Sequence, residues 1–125
     1  MTWTTRIGFC VKSWKRAKCF MQRKTGQWVR KADADYRLAV KIGRGNEPFH
    51  DQLCFHCQQT AEKYFKAYLQ ELGLPVPRIH DLDRLLNLLL PLDATLKPLR
   101  RGLVTFGSYA VEYRYPGRTA TKRDA

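Results

Sequence analysis

No window of this chain approaches the roughly 18 uninterrupted apolar residues that a membrane-spanning helix needs. The longest apolar run is Leu88–Leu90 with its immediate neighbours, so no transmembrane segment is expected. Sustained period-two alternation is missing too, as are internal repeats and low-complexity tracts, which argues against sheets, solenoids and fibrous arrays. The cysteines lack the arrangement of a metal site. Cys54 and Cys57 are an i,i+3 pair in a helical stretch, but no second CxxC and no HxxxH supplies two further zinc ligands. Beside Leu53, Ala61 and Tyr64 the two thiols read as core packing, which fits a reducing cytoplasm and a protein without metal or other cofactor.

Acidic residues are scarce, 11 against 23 basic ones, for a formal net charge of +12. The location of that excess matters more than its size. Residues 1–20 hold five basic and no acidic side chains, residues 114–125 four basic and one acidic, and these ends contribute +8 of the +12. Between them, residues 21–113 carry an excess of only +4. Basicity therefore reads as a property of the tails, where mobile cations would contact nucleic-acid phosphate without sequence preference. The leader, residues 1–20, lacks the apolar core of a secretory signal. Trp3, Phe9, Val11 and Trp14 could line a short helix at a membrane surface. The simpler expectation is a poorly ordered leader, with the organised chain starting just after Met21.

Beyond Met21 the chain has helical period. Trp28, Ala32, Tyr36 and Ala39 mark one face of a helix from Thr25, its expected N-cap, to about Lys41, with Gly43 as the stop. A loop through Gly45, Asn46 and Pro48 comes next. Asp51 is then expected to cap a long helix to Leu72 with a stripe of Cys54, Cys57, Ala61, Tyr64, Phe65, Tyr68 and Leu72. Beyond Pro75 and Pro77, Asp81 and Asp83 suit the positive end of a third helix that buries Leu82, Leu85, Leu86 and Leu89. A fourth is expected to open near Pro98 and to turn Leu99, Leu103, Phe106, Ala110 and Tyr113 inward. At 125 residues the chain holds one domain. The expected fold is an all-α, antiparallel up-and-down bundle of four main helices over residues 21–117, with a basic tail, residues 118–125, after it.

The residues along these helices carry a more specific pattern. The run Phe55-His56-Cys57-Gln58-Gln59-Thr60-Ala61-Glu62-Lys63, then Lys66-Ala67, Gly73, Pro77, His80-Asp81-Leu82, and finally Tyr109-Ala110 with Arg114-Tyr115-Pro116-Gly117, resembles the HEPN family, in order, over roughly Thr25 to Gly117. The resemblance implies a small helical bundle, commonly dimeric and often encoded beside a minimal nucleotidyltransferase in a toxin–antitoxin-like pair. Many members cut RNA with an Arg and, roughly four to six residues later, a His near the start of a late helix. Two such motifs face each other across a dimer, the His moving a proton and the Arg steadying phosphate charge.

This chain departs from that pattern. Arg114 is followed by Tyr-Pro-Gly-Arg-Thr-Ala, and no histidine occurs after His80. The spacing recurs only between Arg44 and His50, ahead of the long helix, which makes those two the weak catalytic candidates. Arg114, with Tyr115, ranks first for a nucleotide or RNA phosphate, because a guanidinium fork matches phosphate geometry. Gln58 and Glu62, with Gln59, sit on the less apolar side of the long helix and are either solvated or paired, across a two-fold interface, with Arg114 or a nucleotide. His80 completes the candidate binding set, although a histidine at a helix start more often bonds a nearby backbone group or carboxylate. Family members continue into a further helix, so a bundle truncated at Ala125 would expose apolar surface and favour dimerisation.

The expectation is thus a cytoplasmic HEPN-type interaction module, self-associating and paired with a nucleotidyltransferase, with nucleotide or RNA phosphate as its ligand. The alternatives are a metal-independent HEPN ribonuclease using Arg44 and His50, or Arg114 with another base, and a basic-tailed RNA- or membrane-associated protein.

Overall fold

A computed structural model describes residues 23–104, 116–117 and 119–123. The leader, the remainder of the fourth helix expected through Tyr113 with its Phe106 and Ala110, and Arg114 with Tyr115 lie outside the described residues. Helix α1 spans Arg23–Arg44, α2 His50–Glu71 and α3 Leu82–Leu89. A 3₁₀ helix, Ala94–Leu99, comes next, and residues 100–104 are again α-helical. No strand occurs among the described residues, and the fold is an all-α helical bundle.

On α1 the buried side chains are Thr25, Val29, Ala32 and Ala39, a face of small and β-branched residues that lets α2 come close. Trp28 and Tyr36, expected at its centre, flank it half-buried. Thr25 is no cap: it lies within α1, with its hydroxyl buried and unpaired among the described residues. The helix runs one residue past Gly43, to Arg44.

Helix α2 starts one residue before Asp51, with Phe49 at the cap position and no side-chain cap bond. Asp51 instead stands in the first turn, favourable beside the positive helix end, where its Oδ1 accepts the backbone N–H of Ala120. Ala120 is buried, so part of the tail expected to be loose packs on the bundle. Cys54, Gln58, Ala61, Phe65 and Leu69 form the buried line of α2. Leu72, expected to finish that line, is 43 % exposed; Leu69 takes the inner place instead. Gly73, at φ 74°, reverses the chain there, and Leu74 N–H returns to the Leu69 carbonyl at 3.0 Å, a positive-φ helix stop that suits glycine.

Asp81, expected with Asp83 at the positive end of α3, is its cap, the side chain accepting from the backbone N–H of Asp83 at 2.9 Å and of Arg84 at 3.2 Å. Leu82, Leu85, Leu86 and Leu89 are fully buried and cluster with Ala61, Phe65, Leu69 and Leu103. The 3₁₀ helix has no counterpart in the sequence pattern: Asp93 caps it through the Thr95 N–H, and it contains Pro98. The fourth α-helical stretch consequently begins after Pro98, and its Leu103 reaches the core. Helix α1 packs along α2, α2 against α3, and α3 against the 3₁₀ helix. Cross-links Trp28–Lys66, Asp33–Tyr64 and Asp35–Lys63 run down one helix as they run up the other, so α1 and α2 are antiparallel.

Candidate functional site

Gln58, Glu62 and Lys66 are spaced four apart on α2, which stacks them on one face. All three are buried, an unusual place for a carboxylate and an ammonium unless they are paired. They are paired. Lys66 Nζ donates to Glu62 Oε1 at 2.8 Å, and Gln58 Nε2 donates to Glu62 Oε2 at 3.3 Å and to the His80 carbonyl at 3.2 Å. His80 Nδ1 lies 3.0 Å from Glu62 Oε1 and donates to it when the carboxylate is ionised. Gln59 Nε2 donates to Gln58 Oε1 at 2.9 Å, and Lys66 Nζ stands 5.7 Å from the centre of the Trp28 ring on α1, a cation–π contact.

The segment before α3 positions His80. Asp81, the next residue, is fixed as the α3 cap, and the Gln58 bond holds the His80 carbonyl from the other side. The imidazole side chain nevertheless remains 76 % exposed, so a solvent-facing ring is held by a carboxylate that is 3 % exposed. Burial alone would raise the Glu62 carboxyl, but hydrogen bonds and charge from Lys66 and His80 outweigh it and hold the group below its ordinary value. The site can keep an anionic anchor ionised beneath an exposed ring.

A second polar cluster joins α1 to α2. Asp35 Oδ1 meets His56 Nδ1 at 3.0 Å while Oδ2 takes Lys63 Nζ, and Tyr64 donates its hydroxyl to Asp33. Burial, then the Asp33 carboxylate, pushes the Tyr64 hydroxyl upward. Cys57, half-buried, has its thiol raised by burial to about 11, which leaves little thiolate at neutral pH. Among the described residues no three His, Cys, Asp or Glu converge as a metal site would require.

Of the residues singled out from sequence, the structure therefore brings together Gln58, Glu62 and His80, with Gln59 at the edge. Gln58 and Glu62 are neither solvated nor on an open face, because α2 turns them into the bundle. Arg44 is the exposed last residue of α1 and His50 the half-buried first residue of α2, at opposite ends of the intervening loop. Lys66 joins the site without having stood among the sequence candidates; its place four residues after Glu62 was the available signal. The Asp35–His56 pair spans 21 positions, and nothing local in the sequence announces it.

No curated protein and no solved structure matches the chain. The HEPN domain family model matches residues 25–125, a span that includes all the site residues named above. The chain belongs to the HEPN family.

Proposed function

We propose that this chain is a HEPN interaction module that self-associates and pairs with a nucleotidyltransferase in a toxin–antitoxin-like system, holding a nucleotide or RNA phosphate without cutting it. The carrying observation is where its imidazoles stand. His50 and His56 belong to α2 and His80 precedes α3, and no histidine occurs beyond His80, where the family's nuclease pattern needs one in a late helix a few residues beyond an Arg. Two of these rings meet carboxylates of the same fold, His56 at Asp35 and His80 at Glu62. Self-association is supported by large apolar side chains left open, among them Leu88, Leu92 and Val104. Arg114 and Tyr115 remain the residues assigned to phosphate.

Light scattering on the purified chain, alone and with ATP, GTP or a short RNA, tests this reading. A dimer that leaves RNA intact and co-purifies with a co-expressed minimal nucleotidyltransferase is the expected result. Metal-independent RNA cleavage that disappears in His50→Ala would overturn it in favour of the ribonuclease.

A further inference from the structure

The outer face of α1 carries a charge arrangement that composition conceals. Arg23, Arg30, Arg37 and Arg44 recur every seven residues, a step that drifts only about 20° around a helix, so they stand along one line roughly 30 Å long. Lys41 falls on the same line, and Lys24 and Lys31 stand beside Arg23 and Arg30. All seven cations are exposed. The only two carboxylates of α1 are turned the other way: Asp33 accepts from Tyr64, and Asp35 takes His56 and Lys63 of α2. Among the described residues none of the seven has a carboxylate partner; Arg37 Nε makes a 3.4 Å bond to the Asp33 carbonyl. At the C-terminal end of the line a shallow, open depression is bordered by Tyr36, Arg37, Val40, Lys41, Arg44 and Gly45.

We infer that this ridge is a docking track for the phosphodiester backbone of a nucleic acid strand, an inference that does not rest on the pairing with a transferase proposed above. Like charges one helical turn apart, such as Arg37 and Lys41, repel and weaken a helix, and a polyanion laid along the line removes that repulsion. Guanidinium forks along most of the ridge match phosphate oxygens better than ammonium groups would. A lipid surface fits less well, because an interfacial helix needs its apolar stripe free to enter the membrane, and the apolar stripe of α1 is buried against α2.

The test is binding of the full chain to a fluorescein-labelled, mixed-sequence single-stranded RNA of about 12 nucleotides, read by anisotropy over a range of KCl. Two triple variants of equal charge loss are compared with the wild type: Arg30→Gln/Arg37→Gln/Arg44→Gln on the ridge, and Arg78→Gln/Arg84→Gln/Lys97→Gln at exposed positions off it, circular dichroism verifying that both are folded. The ridge variant is expected to bind at least about tenfold more weakly at moderate salt and to lose about 2 from the slope of log K against log salt, since each single-strand phosphate contact contributes about 0.7. The off-ridge variant should stay within about twofold of wild type on the same electrostatic reasoning. Equal losses in both triples would mean that binding follows net charge and would overturn the track, as would unchanged binding by the ridge variant. Tighter binding to phosphatidylserine vesicles or to polyglutamate than to RNA would also overturn it, assigning the ridge to a membrane or to an acidic protein.

Discussion

Helix α2 is held on its two sides by opposite chemistry. Toward α3 it offers Ala61, Phe65 and Leu69 to a wall of fully buried leucines. Toward α1 the apolar contribution is small, Val29, Ala32 and Ala39, and named polar ties cross the seam: Tyr64 to Asp33, His56 and Lys63 to Asp35, Lys66 over Trp28. The leucine side is non-directional and tolerates exchange of one aliphatic group for another of similar volume. The polar side is directional, because Asp33 and Asp35 meet their partners in one register only. The same ties that align α1 also turn its carboxylates inward and leave its cations outside, so the interior polarity and the exterior ridge have one cause.

The most severe test of this contrast removes the charge at the centre of the buried Gln58–Glu62–Lys66 cluster, whose Lys66 reaches Trp28 of the polar seam. Glu62→Ala strands Lys66 in a buried position without its carboxylate, and the expected loss is about 3–5 kcal/mol. Leu86→Ala, on the apolar side, is expected to cost about 2–5 kcal/mol through lost transfer energy and a residual cavity. Urea unfolding of both variants checks this; a Glu62→Ala loss below about 1 kcal/mol would mean that the polar cluster contributes little and the leucine wall alone sustains the bundle.

Acid sharpens the same comparison. Glu62 has its carboxyl below its ordinary value in the folded chain, so its contribution is fully present above the ordinary carboxylate range and is lost as pH falls through the lower folded value. Asp93, held down by the Thr95 hydroxyl, titrates in the same direction at the protein surface. Wild-type stability should therefore decline below about pH 4.5, and Glu62→Gln should flatten part of that decline while lowering stability at pH 7. An identical acid slope in the variant would remove Glu62 as its source. A smaller effect is expected at the α1–α2 seam: Tyr64→Phe keeps the ring and deletes the bond to Asp33, for a loss of about 1.5 kcal/mol by denaturant titration.

The contrast also explains what could be read from the sequence. The leucines of α3 and the acidic start of that helix at Asp81 and Asp83 were legible because local period and the charge preference of a helix end set them. Gln58, Glu62 and His80 were recognisable as a set by resemblance to a family, yet their burial was not, since a polar residue on a helix reads as solvated until its partner is known. Lys66 stayed hidden for that reason, and Asp35–His56 because its members meet only after α1 folds back on α2. The charge of α1 is obscured in a sum over residues 21–113, because such a sum cannot tell that two aspartates face inward. Arg114 and Tyr115 lie outside the described residues, so the phosphate assignment rests on the family resemblance.

Asp81 lies at the meeting point of the two chemistries, and its replacement has the smallest expected effect. Its carboxylate caps α3 by accepting from Asp83 and Arg84, while the preceding residue is held to α2 by both its backbone and its ring. Asp81→Ala should cost about 1 kcal/mol, the usual value for an N-cap, because the leucines behind α3 keep the helix in place. Asp81→Asn, which retains an acceptor, should recover most of that loss. If Asp81→Ala costs several times more, the cap is also what presents His80 to Glu62, and the variant should then lose the same part of the acid slope that Glu62→Gln loses. If it costs about 1 kcal/mol and leaves the acid slope intact, the Gln58 bond to the His80 carbonyl is sufficient to hold the ring, and the polar cluster is independent of the apolar helix beyond it.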